Sequence, residues 1–154
     1  MYSNNGRAVR VSPSDEVELS TEVQGASTFL LLACRLWKNV SEALRPRCVS
    51  LMDANRADWY VRHDGSYIIR IDLASHTDSL PQMENDSSWI LHADTFYPGY
   101  YALESLSFPH WYIKSHDDGR LGIAQIDNTA DHYDAASFRV YDYNTSSMYS
   151  RSVC

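Results

Sequence analysis

The sequence has no stretch of Lys and Arg denser than Arg45-Pro46-Arg47, and its 13 cations stand against 20 acids for a formal charge of −7. A nucleic-acid binder concentrates Lys and Arg on one face to meet phosphates, so that partner class is excluded. Long apolar runs are also missing. The longest, Phe29-Leu30-Leu31-Leu32-Ala33-Cys34, falls far below the ~20 residues that cross a bilayer. Residues 1–14 are polar throughout and do not resemble a signal peptide. There is no Gly-rich phosphate loop, no Gly-x-Ser-x-Gly and no His-Glu-x-x-His, and the scattered histidines and three cysteines lack the paired spacing of a zinc site. No cofactor and no metal are expected. Glycoside hydrolysis needs two carboxylates about 5–10 Å apart across a cleft, and no motif marks out such a pair. The expectation is a non-catalytic chain, acidic and aromatic-rich, suited to a neutral ligand.

What is present is an internal repeat. Residues 50–63, Ser-Leu-Met-Asp-Ala-Asn-Arg-Ala-Asp-Trp-Tyr-Val-Arg-His, recur without a gap as 102–115, Ala-Leu-Glu-Ser-Leu-Ser-Phe-Pro-His-Trp-Tyr-Ile-Lys-Ser. Downstream, Asp64-Gly65 with the alternating run 67–72 answers Asp118-Gly119 with 121–124, and each copy closes on small residues and an aromatic: Asp86-Ser87-Ser88-Trp89 and Ala135-Ala136-Ser137-Phe138. A weaker third echo runs through Asn5-Gly6 and Ala26-Ser27-Thr28-Phe29. The period is loose, about fifty residues. Each copy reads as short strands of period two separated by hairpin-turn dipeptides. Units of this kind must stack on one another to bury an apolar face. Three copies of about four strands predict an all-β fold, a β-trefoil, with the first repeat lacking its opening strand. Val61, Ile69, Ile71, Ile113 and Leu121 should fill the barrel, joined in or around the core by Trp59 or Tyr60, Trp89, Trp111 or Tyr112, and Phe138.

The expected organisation is one trefoil over 1–143, with repeat one at 1–33, an insertion at 34–48, repeat two at 49–101, repeat three at 102–143 and a Ser- and Tyr-rich tail at 144–154. The insertion is a surplus of about eight residues relative to the other junction and carries a helix-compatible stretch, 36–44, before Pro46 stops it. Almost no helix is expected elsewhere. Cys34 and Cys48 flank it. They are either a disulfide at its base, worth roughly 2–4 kcal/mol, or two buried thiols, while Cys154 is left exposed and unpaired. Sequons at Asn39, Asn85 and Asn144 lean toward export. An exported form would require a longer chain or a different start.

Over residues 50–63 and 86–89 the sequence resembles the arabinofuranose-binding module of α-L-arabinofuranosidase B, in which each copy opens on a Ser-Phe-Glu-Ser-like strand, runs into Tyr-Leu-Arg-His and closes on Asp-Ala-Thr/Ser-Phe. Ser50, Asn55, Tyr60, Arg62 and His63 carry the likeness in repeat two, and Leu103-Glu104-Ser105, Pro109, Tyr112 and Lys114 in repeat three. The resemblance spans about 5–143. It implies a β-trefoil that binds arabinofuranosyl side chains of polysaccharides, in the context of L-arabinose metabolism, with up to one pocket per copy and with hydrolysis left to a separate domain. Carried over by position, it implies His63 and Asp86 as the polar contacts in repeat two, with Tyr60 and Trp59 as neighbours. In repeat three the matching positions are Ser115 and Ala135, with His116 one residue late and Asp134 one early; a one-residue slip turns a side chain to the other face. Repeat one has Ala26 in place of the Asp and no His.

The chemistry of the His–Asp pair suits a sugar on its own terms. A carboxylate accepts two hydroxyl protons and a neutral imidazole supplies one donor and one acceptor, while Trp59, Tyr60 or Tyr67 would cover the apolar C–H face. Ordinary roles compete: His63 as an exposed turn histidine, Asp86 as an Asx turn, the aromatics as core. Two functions follow. One is a carbohydrate-binding module for arabinofuranosyl-containing polysaccharide, extracellular or at the cell surface, monomeric or part of a larger chain. The other is a non-catalytic trefoil interaction module whose sugar pockets have decayed.

Overall fold

The computed structural model describes residues 1–3, 6–21, 26–76 and 80–139. Among them run twelve strands: β1 Tyr2–Ser3, β2 Ala8–Val11, β3 Val17–Ser20, β4 Phe29–Ala33, β5 Cys48–Asp53, β6 Trp59–His63, β7 Ile69–Leu73, β8 Trp89–Ala93, β9 Tyr101–Ser105, β10 Trp111–Ser115, β11 Leu121–Gln125 and β12 Phe138–Arg139. All strand pairs are antiparallel. The path β1-β12-β9-β8-β5-β4 makes a wall, and the hairpins β2–β3, β6–β7 and β10–β11 cap it.

The hairpin registers superimpose the three repeats, since Val11 faces Val17 as His63 faces Ile69 and Ser115 faces Leu121. Four residues past the first member of each pair, Asp15, Tyr67 and Gly119 share a left-handed backbone with φ of 62°, 63° and 88°. Their carbonyls accept the N–H groups of Ile71, Ile123 and Leu19 at 2.8, 2.9 and 2.7 Å. Each turn is thus bonded to the next repeat's hairpin, and the third returns to the first. This ring is the three-fold closure of a β-trefoil.

Registry also corrects the reading of repeat one. Its opening strand is present in short form: β1 pairs Ser3 with Phe138 as β9 pairs Ser105 with Trp89. Gly6, at φ 79°, stands just before β2 as Asp58 stands before β6 and His110 before β10, both also left-handed. It is therefore not the counterpart of Gly65, and the first hairpin turns at 12–16. An Asn-Gly dipeptide marks a turn without saying which.

The core follows the repeat. Val9, Val61 and Ile113 form one matched set, Val17, Ile69 and Leu121 another, and Leu19, Ile71 and Ile123 a third, all buried in one cluster with Leu51, Leu103, Trp89 and Phe138. Trp59 and Trp111 pack against it from the side. Phe29 holds the position of Trp89 and Phe138 but is only half-buried. Among the described residues strand β4 has one laddered neighbour, β5, and Leu30, Leu31 and Leu32 are 43, 51 and 38 % exposed.

The helix expectation fails in both directions. The stretch 36–44 is not an α-helix; the insertion holds only 3-10 turns at Trp37–Asn39 and Arg45–Arg47. Arg45 Nε donates to the carbonyls of Trp37 and Val40 at 3.1 and 3.0 Å, taking acceptors that a helix would give to its own N–H groups. Cys34 and Cys48 are bridged, with Cα atoms 5.1 Å apart, and pack with Val40 and Ile90 in a small second core. Two α-helices occur instead where none was expected, α1 Leu80–Asp86 and α2 Ala130–Ala135. Each spans under two turns, too short for a 3.6-residue period to show. Each is capped by the serine before the closing aromatic: Ser88 Oγ donates to the Glu84 carbonyl at 2.7 Å and Ser137 Oγ to that of Tyr133 at 2.6 Å. Cys154 and the tail lie outside the described residues.

Candidate functional site

Alternation along β6 turns Trp59, Val61 and His63 toward the core and Tyr60 and Arg62 to the opposite face. Helix α1 crosses that opposite face, with Met83 packed on Tyr60, and ends at Asp86. The two sequence-nominated residues meet there: His63 Nε2 lies 3.5 Å from Asp86 Oδ1, and Arg62 Nη1 3.6 Å from Asp86 Oδ2. Neither is an exposed turn residue, His63 being 2 % and Asp86 6 % exposed. Asp86 is the last residue of α1 and lies beside the Arg62 side chain.

Repeat three completes the surroundings. Ser107 Oγ lies 3.0 Å and Ser105 Oγ 3.3 Å from His63 Nε2. Phe108 sets its ring against His63 at 5.3 Å, with Trp89 on the imidazole at 5.9 Å. Beyond Phe108, Tyr67 stacks on Trp111 at 5.0 Å. Phe108 and Tyr67 are partly open to solvent, so a buried polar floor lies beside an accessible aromatic rim. Ser107 and Phe108 were not nominated from sequence. They lie more than forty residues from His63, and no linear signal links them to it.

Burial sets the electrostatics. Desolvation pushes the His63 imidazole below its ordinary value despite the opposing pull of Asp86, which keeps the ring neutral as a donor–acceptor. Desolvation pushes the Asp86 carboxyl up, against His63 and Arg62, which hold it down. Arg62 is anchored to Asp72 at 2.6 Å, and Asp72 also takes Arg70 at 3.2 Å. Asp72 is therefore committed to guanidinium groups, and the arrangement is a hydrogen-bonding cradle.

The other nominated residues lie elsewhere. Tyr60 is buried between Met83 and Ala74, under the Arg35 guanidinium at 4.6 Å. Trp59 sits beneath Arg56 at 4.6 Å. The aromatic rim comes from Tyr67, Phe108 and Trp111 instead. In repeat three, Ser115 and Ala135 occupy the positions of His63 and Asp86, and Ser115 Oγ donates weakly to the Ala135 carbonyl at 3.4 Å. His116 lies over Gly122, and Asp134 hydrogen-bonds Tyr97, raising that phenol's pKa. These two partners differ, and the structure does not pair them. Repeat one offers Val11 and Ala26 at the matched positions. Among the described residues no three His, Cys, Asp or Glu side chains converge as metal ligands would.

Known proteins with this architecture include a mutant GH54 α-L-arabinofuranosidase soaked with 4-nitrophenyl α-L-arabinofuranoside, at TM-score 0.59 and 16 % identity over 85 % of this chain. An arabinofuranosidase complexed with arabinofuranosyl-α-1,2-xylobiose follows at 0.57 and 16 % over 85 %. The chain spans 30 % of the length of each. The NMR structure of the cytokine interleukin-36alpha is similar at TM-score 0.57 and 14 % identity, covering 86 % of this chain and 84 % of that one. At such identities the likeness establishes the fold. No curated protein sequence matches. The sequence itself matches the α-L-arabinofuranosidase B (ABFB) domain over residues 2–140. The chain belongs to that family, whose domains are carbohydrate-binding modules of arabinofuranosidases.

Proposed function

We propose that this chain is a non-catalytic carbohydrate-binding module that holds a terminal arabinofuranosyl residue of a polysaccharide at repeat two. The observation that carries this reading is the meeting of a neutral His63 and the Asp86 carboxylate within 3.5 Å, beside the Ser107 hydroxyl and an open aromatic rim. Asp86 and His63 hydrogen-bond the furanose hydroxyls, Arg62 keeps the carboxylate oriented, and Phe108 and Tyr67 cover the C–H face. Site residues Trp59 and Tyr60 act through packing, and Asp134 and His116 do not bind. The Cys34–Cys48 disulfide fits an oxidising compartment, extracellular or at the cell surface.

Calorimetric titration with methyl α-L-arabinofuranoside and an arabinofuranosyl xylo-oligosaccharide tests this. Wild type should bind weakly and Asp86→Asn should lose binding, while Asp134→Ala behaves as wild type. The absence of a polar pair in repeats one and three favours the second reading, a protein-interaction module with decayed pockets. That reading takes over if wild type retains neither sugar.

A further inference from the structure

A second concave site lies away from the His63–Asp86 cradle, where the insertion meets the β8–β9 hairpin. Its cavity of about 190 Å³ is lined by Arg47, Leu91, His92, Ala93, Thr95 and Tyr101. That is below the roughly 300–1,000 Å³ of a drug-sized pocket and suits a single small ring. No carboxylate lines it. Among the described residues Arg47 has no ion pair, and unlike Arg45, whose Nε is given to the Trp37 and Val40 carbonyls, it lines the cavity. The segment that contributes Arg47 is basic in sequence: residues 34–48 hold four of the chain's 13 Lys and Arg but one of its 20 acids.

Two acids border the lining residues: Asp94, between Ala93 and Thr95, accepts the Gly99 N–H on Oδ1 at 2.6 Å, and Glu104 is engaged as well. Its Oε2 meets His92 Nε2 at 2.6 Å, and its Oε1 accepts the His110 N–H at 2.7 Å. This fixes the His92 ring by one nitrogen. A guanidinium fork in a concave site that no carboxylate lines, beside the Thr95 and Tyr101 side chains, fits a planar oxyanion, and a carboxylate in particular. Leu91 and Ala93 supply an apolar surface for a ring.

We infer that this cavity is a second carbohydrate subsite that takes a uronosyl residue, its carboxylate on Arg47. The inference rests on the carbohydrate-binding reading above but uses none of that site's residues. An acidic chain can then hold an acidic glycan, because the anion meets Arg47 in a cavity that no carboxylate lines.

The test titrates the full chain with galacturonic acid trisaccharide, its fully methyl-esterified form, a sulfated disaccharide and methyl α-L-arabinofuranoside. The free acid should bind, about tenfold or more tightly than its ester, with affinity falling as salt rises. Arg47→Gln should lose about tenfold or more for the acid and leave the arabinofuranoside unchanged, with Arg47→Lys intermediate. Asp86→Asn should do the reverse. Unaltered circular dichroism and thermal midpoint establish that the Arg47 variants fold. Equal binding of acid and ester, or wild-type affinity for the acid in Arg47→Gln, overturns the inference. So does a sulfated disaccharide that binds as tightly as the uronate. Acid binding that depends on Arg47, without any arabinofuranoside binding, would sustain this subsite and remove the reading of His63 and Asp86.

Discussion

At the scale of single residues, burial decides what His63 and Asp86 contribute. Asp86→Asn should abolish measurable arabinofuranoside binding and also lower stability by about 1–3 kcal/mol, because a buried partner of Arg62 loses its charge. Calorimetric titration and thermal unfolding read the two effects separately. His63 gives a signed pH dependence. Its folded pKa is depressed, so the unfolded chain binds the proton more tightly. The stability this residue contributes is therefore present above about 6.5 and is lost as pH falls through that value toward the folded pKa. His63→Gln should flatten that part of the profile in unfolding measured between pH 7.5 and 5; an unchanged slope would contradict the assignment. The partners that bury His63, Ser107 and Phe108, were not readable from the sequence, since contact between repeats is set by three-dimensional closure.

Elements show where local pattern was sufficient and where it was not. Hairpins β6–β7 and β10–β11 follow the Asp-Gly turns and β7 the alternation, whereas the insertion's helical spacing was overridden by its disulfide and by Arg45. Reducing Cys34–Cys48 frees a 14-residue separation and should cost about 3 kcal/mol, visible as a lower thermal midpoint with reductant. Arabinofuranoside binding should survive below that midpoint, because the hydrogen bonds and ion pairs of His63 and Asp86 run to Arg62, Ser105 and Ser107 and to each other. Gly122 gives a second element-scale expectation. A Cβ there would stand 2.8 Å from the Tyr67 carbonyl, whose oxygen already accepts Ile123 N–H in the three-fold ring. Gly122→Ala should therefore destabilise by about 1–3 kcal/mol, measured by chemical denaturation.

For the whole molecule, the three-fold scaffold carries the polar pair only once. Val11 with Ala26 and Ser115 with Ala135 hold the positions of His63 with Asp86. Titration with methyl α-L-arabinofuranoside should give a stoichiometry of one per chain, and affinity for a multiply substituted polysaccharide should show no multivalent gain. A stoichiometry of two would mean that repeat three binds through other residues.

The repeat itself determined the fold class and the core, and the resemblance to the arabinofuranose-binding module supplied the candidate pair. Period-two apolar positions reach the interior in any closed antiparallel barrel, and Tyr-x-Arg-His followed by Asp-x-x-Trp is a local signature. The true phase of repeat one was decided in tertiary structure, because a two-residue strand and an Asn-Gly turn carry too little local information to fix register. So was the exposure of Leu30 to Leu32, which depends on β4 having one laddered neighbour. The same holds for the enclosure of Asp86 by a helix shorter than two turns. In each case the deciding contact joins residues far apart in the chain, and burial is a property of that contact.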